Sequence, residues 1–470
     1  MAEEGKASLV FIPFPVVSHL VAAVKTAELL AARDSRLSIT VLVMSMSTDT
    51  KISSYIKNPQ INFVRLEQDD ESSVGEAMKP PKRMMHFACR HKASAQGVLS
   101  EIKKCRRVAG IFVDIMCVDM IDVAKELDIT SYVFFSSGAA ILGLMFGLQS
   151  LEDDHGRDLA EFEGSDEVIS ISSYVNPVPA RVWPESVFDR ESGFLELSRK
   201  VREADGIVIN TFLELEPHAI SSTSTSEDER IPRFYPIGPI IGGEREESDE
   251  SRQKREEIVR WLDDQPDSSV VFLCFGSMGA FEAEQVVEIA DALEQSGQRF
   301  LWSLRKPVSE KGIVFPGEHE NPREVLPEGF LERTARVGKV IGWAPQIAVL
   351  SHPSVGGFVS HCGWNSTLES VCCGVPMATW PLGAEQQTNA FQLVKDIGIA
   401  VEIKMDYRKN SGEIVTKDII AKAIEQLMDP TNEIRARVKE LKEKSTMALM
   451  EGGSSYNYLG CLIQDFFQSC

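Results

Sequence analysis

The sequence is short of positive charge: 49 Lys and Arg stand against 70 Asp and Glu, a formal net charge of −21. A surface of that sign repels nucleic acid and anionic lipid, which removes both from the expected partners. A phosphate-bearing ligand would have to be met by local donors working against the overall field. Cysteine is present without organisation. Nine residues run from Cys89 to Cys470, an odd number with no Cys-x-x-Cys pair, so reduced thiols in a cytoplasmic protein are expected rather than a disulfide framework or a zinc site. The start, MAEEGKASLVF, is acidic and lacks the long apolar run of a signal peptide. One stretch without charge, Ile129–Leu151, is long enough to cross a bilayer. It divides at Ser136-Ser137-Gly138 into a β-rich piece and a helical piece, which predicts a buried strand, turn and helix.

What is there is a chain of 470 residues, 43% hydrophobic and 25% charged, enough for two or three full cores. Its first half alternates in βα fashion. Ser8–Phe14 is a continuous apolar run suited to a parallel strand covered on both faces, and His19–Ala32 follows at helical spacing. Further strands are expected at Ser38–Met44, Asn62–Leu66, Gly110–Asp114 and Tyr132–Phe135, with helices at Ala88–Lys104 and Met120–Leu127. The pattern stops near Tyr235–Pro239. An acidic run follows, and alternation restarts at Val270–Phe275. The expected organisation is an α/β fold of two similar Rossmann-like domains facing each other across a cleft, each with a parallel sheet and right-handed crossovers. The boundaries are residues 1–243, a linker at 244–256, a second domain at 257–451, and a C-terminal helix at 452–470 packing back on the first.

The densest chemistry runs from Trp343 to Gln386. Gly357–Ser360 reads as a strand, His361-Cys362-Gly363-Trp364 as a tight turn, and Asn365–Cys373 as a helix capped by Asn365 or Ser366. A helix start supplies backbone N–H groups and a positive dipole end, and His361, Asn365 and Ser366 add donors, which together suit a diphosphate. Glu369, one turn deeper, is placed to accept two ribose hydroxyls, and Trp343 offers a flat face for a base. By itself, a glycine-rich turn before a helix is as often structural as functional. Cys362 next to His361 is a poor nucleophile pair, since sequence neighbours seldom meet and no oxyanion partner is evident, and His352 reads as a turn residue. In the first half, His19 follows the first strand and Asp114 closes a later one, both at carboxyl ends of strands, where such sheets bind ligands. A carboxylate-held histidine is a competent general base, although a histidine at a helix start can also be merely structural. Asp119 is the alternative partner.

Taken together, the stretch WAPQIAVLSHPSVGGFVSHCGWNSTLESVCCGVPMATWPLGAEQ resembles the signature box of the plant secondary-product glycosyltransferases, UDP-dependent enzymes of the GT-B fold. The resemblance extends over nearly the whole chain from FIPFPVVSHL onward. It implies that Trp343 stacks on uracil with the Ala344 backbone pairing to it, and that Gln346 and Glu369 hold the ribose. It implies that His361, Asn365, Ser366 and Ser277 contact the phosphates, with Gly363 in the same turn, and that Trp364, Glu385 and Gln386 surround the sugar. The closing Gln386 resembles the glucose-using form, and Trp364 in place of Arg speaks against a glucuronic acid donor. His19 matches the family's catalytic base, although Ser18-His19 replaces the frequent Gly-His, and Asp114 matches its partner. Ser136 is a possible sugar contact. The implied reaction is inverting transfer of glucose from UDP-glucose, as co-substrate, to a hydroxyl of a small lipophilic acceptor such as a flavonoid or stilbene, giving a β-glucoside. The acceptor is expected against the apolar stretches Met84–Phe87 and Ile141–Phe146. No metal is expected, since no Asp-x-Asp signature lies near the box. A monomer without a membrane anchor is the expected state. A non-catalytic UDP-sugar sensor and a nucleotide-sugar hydrolase remain as alternatives.

Overall fold

A computed structural model describes residues 6–44, 61–67, 78–224, 230–242, 249–308 and 316–468. The chain forms two compact units. The first comprises Met1–Ala180, Glu185–Glu246 and Thr446–Cys470, and the second Arg181–Pro184 and Glu247–Ser445.

The first unit is built on seven parallel strands: β1 (Ala7–Ile12), β2 (Leu37–Met44), β3 (Ile61–Leu66), β4 (Val108–Asp114), β5 (Ser131–Phe135), β6 (Gly206–Ile209) and β7 (Arg233–Pro236). Their order is β3-β2-β1-β4-β5-β6-β7. β1 ends at Ile12, two residues short of the apolar run, because Pro13 and Pro15 have no N–H to give a ladder. Helix α1 (Val17–Arg33) then crosses to β2. The uncharged stretch divides as its pattern predicts, into β5 and helix α2 (Ala139–Asp153), and no described helix is long and apolar enough to cross a membrane.

The second unit repeats the plan with six parallel strands: β8 (Val270–Cys274), β9 (Arg299–Ser303), β10 (Gly338–Ile341), β11 (Val355–Ser360), β12 (Met377–Thr379) and β13 (Ala400–Glu402). Their order, β10-β9-β8-β11-β12-β13, is the doubly wound 3-2-1-4-5-6 order. In both sheets the strand order reverses between strands one and four, β1/β4 and β8/β11. That reversal leaves a crevice beyond the carboxyl ends of the two strands, where open α/β sheets take ligands.

Stacked rings at the same strand pairs tie the cores together. Phe11 lies on Phe112 with centroids 4.4 Å apart, Tyr132 continues the stack at 5.2 Å, and Phe272 lies on Phe358 at 5.3 Å. Helix α6 (Ser454–Gln468), the last of the chain, belongs to the first unit. Its Leu462 and Phe466 are fully buried there, and Arg107 donates to the Phe466 carbonyl at 2.8 Å. Each buried side chain of this size contributes roughly 1.5–3 kcal/mol.

Three local readings are corrected. The acidic run expected as linker through residue 256 is helical from Asp249: helix α3 (Asp249–Asp263) opens with Asp249 and Glu250 in its first turn and buries Ile258 and Leu262 one turn apart. Acidic residues favour a helix start and two buried anchors hold its far end, so charge density did not mean loop. Residues 243–248 lie outside the described residues. The segment near Tyr235–Pro239, where alternation is expected to stop, contains β7, whose closing Pro236 is tolerated because β7 is the sheet edge. The helix expected over Ala88–Lys104 is two helices, Lys82–Cys89 and Lys92–Cys105. His91 between them is fully buried, its Nδ1 3.1 Å from the Phe87 carbonyl.

Candidate active site

In the first unit, His19 stands in the first turn of α1 and Asp114 is the last residue of β4, so the two meet at the strand reversal. Their side chains join at 2.8 Å, Nδ1 to Oδ2. The other carboxylate oxygen accepts the Met116 N–H at 2.9 Å, capping the short 3-10 turn Ile115–Cys117. Asp114 is 1% exposed and therefore rigidly aimed, while the imidazole keeps 24% of its surface open. A carboxylate can only accept, so Nδ1 donates and the neutral ring carries its lone pair on Nε2. Asp119 takes no part in this bond; it lies beside the start of the Met120–Glu126 helix, where burial pushes its carboxyl up. A run of aromatic rings leads away from the base. Phe14 meets His19 edge-on at 6.3 Å, Phe87 meets Phe14 at 5.9 Å, and Phe87 is only half-buried. Ile141–Phe146 are buried within α2. Ser136 follows β5, the strand next to β4, and is half-buried.

The second unit places its own turn at the matching reversal. β8 leads into Gly276-Ser277, and β11 leads into His361-Cys362-Gly363 and helix α4 (Trp364–Cys373). The His361 ring lies against two bare backbones. A β-carbon on Gly276 would come within 2.6 Å of the ring, and one on Gly363 within 2.5 Å of Nε2. Gly276 also has φ +71°, so glycine is needed there twice over. Burial lowers the imidazole to about 4, and its Nδ1 is buried without a partner among the described residues. His361 is therefore a neutral, dipolar group at neutral pH. Cys362 adopts φ +62°, and burial drives its thiol far up. A fully buried, protonated thiol is no nucleophile.

The cap of α4 differs from expectation. Gly363 is the N-cap and no side chain caps the helix, because the left-handed turn at Cys362 starts the helix one residue early, at Trp364. Asn365 and Ser366 thus sit inside the first turn, and the Ser366 hydroxyl accepts from Gln346 Nε2 at 2.8 Å. The same amide donates to Glu369 Oε2 at 2.7 Å, so Gln346, Ser366 and Glu369 form one network. Burial pushes the Glu369 carboxyl up to about 7, against the opposing pull of that hydrogen bond. Trp343 is 40% exposed, unusual for a tryptophan, and Ala344 beside it is buried. Glu318, which the sequence did not single out, accepts the Trp343 N–H at 3.0 Å, and its carboxylate lies across Gly342. No local pattern marks Glu318, because it arrives on a separate two-stranded hairpin with Arg305-Lys306.

The remaining positions divide. Ser277 is exposed, whereas Trp364 is 2% exposed. Gln386 opens helix α5 (Gln386–Phe391), and its Oε1 accepts from the Leu382 and Gly383 amides at 2.8 and 3.2 Å. Glu385 precedes it, its carbonyl accepting from Thr388 at 2.7 Å. His352 bonds Ser354 at 2.8 Å and Asp263 at 3.2 Å, the arrangement of a turn residue. Among the described residues no cluster of three or more His, Cys, Asp or Glu is arranged to hold a metal ion, and eight cysteines are unpaired.

Two Rossmann-ordered units, one carrying a carboxylate-held histidine and the other a helix start ringed by neutral donors, define a nucleotide-dependent group-transfer enzyme. Comparison with known proteins gives the family. Residues 240–434 match the family described as UDP-glucoronosyl and UDP-glucosyl transferase. The chain is 50% identical to UDP-glucose flavonoid 3-O-glucosyltransferase 6 of Fragaria ananassa over 96% of its own length and 97% of the relative's. It is also 50% identical to UDP-glycosyltransferase 71E1 of Stevia rebaudiana, over 97% and 98%. Among solved structures it is similar to a transferase of Siraitia grosvenorii in complex with UDP, with TM-score 0.90, 40% identity and coverage of 98% and 100%. A Medicago truncatula enzyme complexed with UDP-glucose gives TM-score 0.86 and 38% identity, covering 98% of each chain. The chain belongs to the UDP-dependent glycosyltransferase family, and its two-unit parallel architecture is that family's GT-B fold.

Proposed function

We propose that this enzyme transfers glucose from UDP-glucose to a hydroxyl of a small lipophilic plant phenolic, with inversion, and that the residues described above divide the work. His19 Nε2 takes the proton of the acceptor hydroxyl, whose oxygen attacks the anomeric carbon. The C–O bond to UDP breaks, and the electron pair leaves with the β-phosphate. Asp114 fixes the imidazole tautomer and stabilises the imidazolium that forms. The first turn of α4, with His361, Asn365, Ser366 and Ser277, receives the diphosphate and its growing charge. Trp343 and Ala344 take the uracil, Gln346 and Glu369 the ribose, and Trp364, Glu385 and Gln386 the glucose, with Ser136 a further sugar contact.

The observation that carries this reading is the 2.8 Å bond between His19 and a nearly fully buried Asp114, which a mere UDP-sugar sensor would not need. The Fragaria ananassa relative named for glucose and a flavonoid acceptor supports the choice of substrates, as do the Phe14 ring beside His19 and the Phe87 ring packed on Phe14. Neutral donors at the phosphate turn support a reaction without a metal. The odd cysteine count supports a reducing, cytoplasmic setting, and the enzyme is read as a monomer. The test is incubation with UDP-glucose and a panel of flavonoids and stilbenes, read by mass spectrometry for the gain of one hexose. Free glucose without acceptor product would make it a hydrolase, and UDP-glucose binding without turnover would make it a sensor.

A further inference from the structure

We propose that Asn389 is a positioning residue for the phosphate-binding turn, tying that turn to the helix that carries Gln386. The inference rests on the donor-site reading above. Asn389 is 1% exposed, and its Nδ2 donates to the Cys362 carbonyl at 3.1 Å. Its Oδ1 is buried without a partner among the described residues, so the side chain is kept there for one hydrogen bond. The residue it holds is strained. Cys362 has φ +62° without being glycine or asparagine, a conformation that persists only where the surroundings over-determine it. Ser360 Oγ accepts the Cys362 N–H at 3.2 Å on one side, and Asn389 holds the carbonyl on the other. His361 and Gly363 flank Cys362 directly. A relaxed Cys362 would therefore swing the imidazole off Gly276 and tilt the start of α4. Asn389 lies three residues beyond Gln386, on the same side of α5, so one amide couples the sugar-side helix to the phosphate-side turn.

The neighbouring Gln387 supplies a matched control. It is also fully buried, its Nε2 donates to a backbone carbonyl, that of Tyr407, at 2.8 Å, and its Oε1 has no partner among the described residues. Asn389→Leu and Gln387→Leu thus each remove one buried amide and leave one orphaned carbonyl. The measurements are calorimetric Kd for UDP, KM for UDP-glucose and for a phenolic acceptor, and the melting temperature. Asn389→Leu is expected to weaken UDP and raise the donor KM by about tenfold, with acceptor KM unchanged. Gln387→Leu is expected to lower the melting temperature comparably while keeping the donor KM within about twofold. If Asn389→Leu does not fold, Asn389→Ala, which removes the N–H without adding bulk, is expected to show the same donor-specific loss. A folded position-389 variant with wild-type donor KM, or an equal donor loss in Gln387→Leu, overturns the proposal. A wild-type protein that does not bind UDP, or whose UDP affinity survives His361→Ala, would instead overturn the donor-site reading beneath it.

Discussion

The imidazole of His361 rests on the bare backbone of Gly276, so close that a β-carbon there would stand 2.6 Å from the ring. Gly276→Ala adds that carbon at a residue already at φ +71°. The ring must move, and with it the donor proposed for the phosphates. We expect a stability loss of about 1–3 kcal/mol and a UDP Kd raised at least about tenfold. Calorimetry with UDP alone checks this, and an unchanged Kd would show that the ring position does not matter for the diphosphate.

The roles proposed for His19 and Asp114 separate binding from chemistry. His19→Ala is expected to lower kcat by a factor of about 10² to 10⁴ with UDP affinity nearly intact. Asp114→Asn keeps the shape but offers a donor where Nδ1 needs an acceptor, favouring the wrong tautomer, so a loss of similar order is expected. Steady-state kinetics alongside UDP titration decides. Parallel loss of UDP binding in His19→Ala would contradict the assignment.

The Glu369 carboxyl, raised to about 7 from an ordinary 4.5, carries a definite sign. Between those values the folded protein holds a proton that the unfolded chain has released, so this group makes the free enzyme less stable as pH rises from about 4.5 through about 7. Glu369→Gln removes the titration. The melting temperature of the variant minus that of the wild type should therefore grow from pH 5 to pH 8; a constant difference would rule the argument out. In the proposed ribose contact, hydroxyls donating to the carboxylate favour its ionised form, so UDP binding near pH 7 should release a proton in wild type and not in Glu369→Gln.

Trp343 has 40% of its surface open, so its ring contributes little to the core. Trp343→Ala should raise the UDP Kd roughly three- to tenfold through lost stacking while leaving the melting temperature almost unchanged. A large fall in melting temperature with UDP affinity intact would assign the ring to folding instead.

Much of the site was legible because it is local. The strand β11, the turn and helix α4 follow one another without a gap, so His361, Gly363, Asn365, Ser366 and Glu369 share a neighbourhood by chain connectivity alone. The cap was misassigned because it depends on one backbone angle, that of Cys362, which residue type argues against. Short edge strands such as β7 and β13 and the helix α3 were missed or read as loop, since proline and charge outweighed a few buried contacts.

By itself the sequence determined the two βα alternations and the contiguous strand, turn and helix around His361, because these follow from residue periodicity and turn residues over short spans. Only tertiary structure decided which aspartate meets His19 across 95 residues. It alone brought Glu318 to Trp343 and set Asn389 under Cys362. Those pairings depend on strand order and register, which bring distant residues within hydrogen-bond reach and leave no trace in local composition.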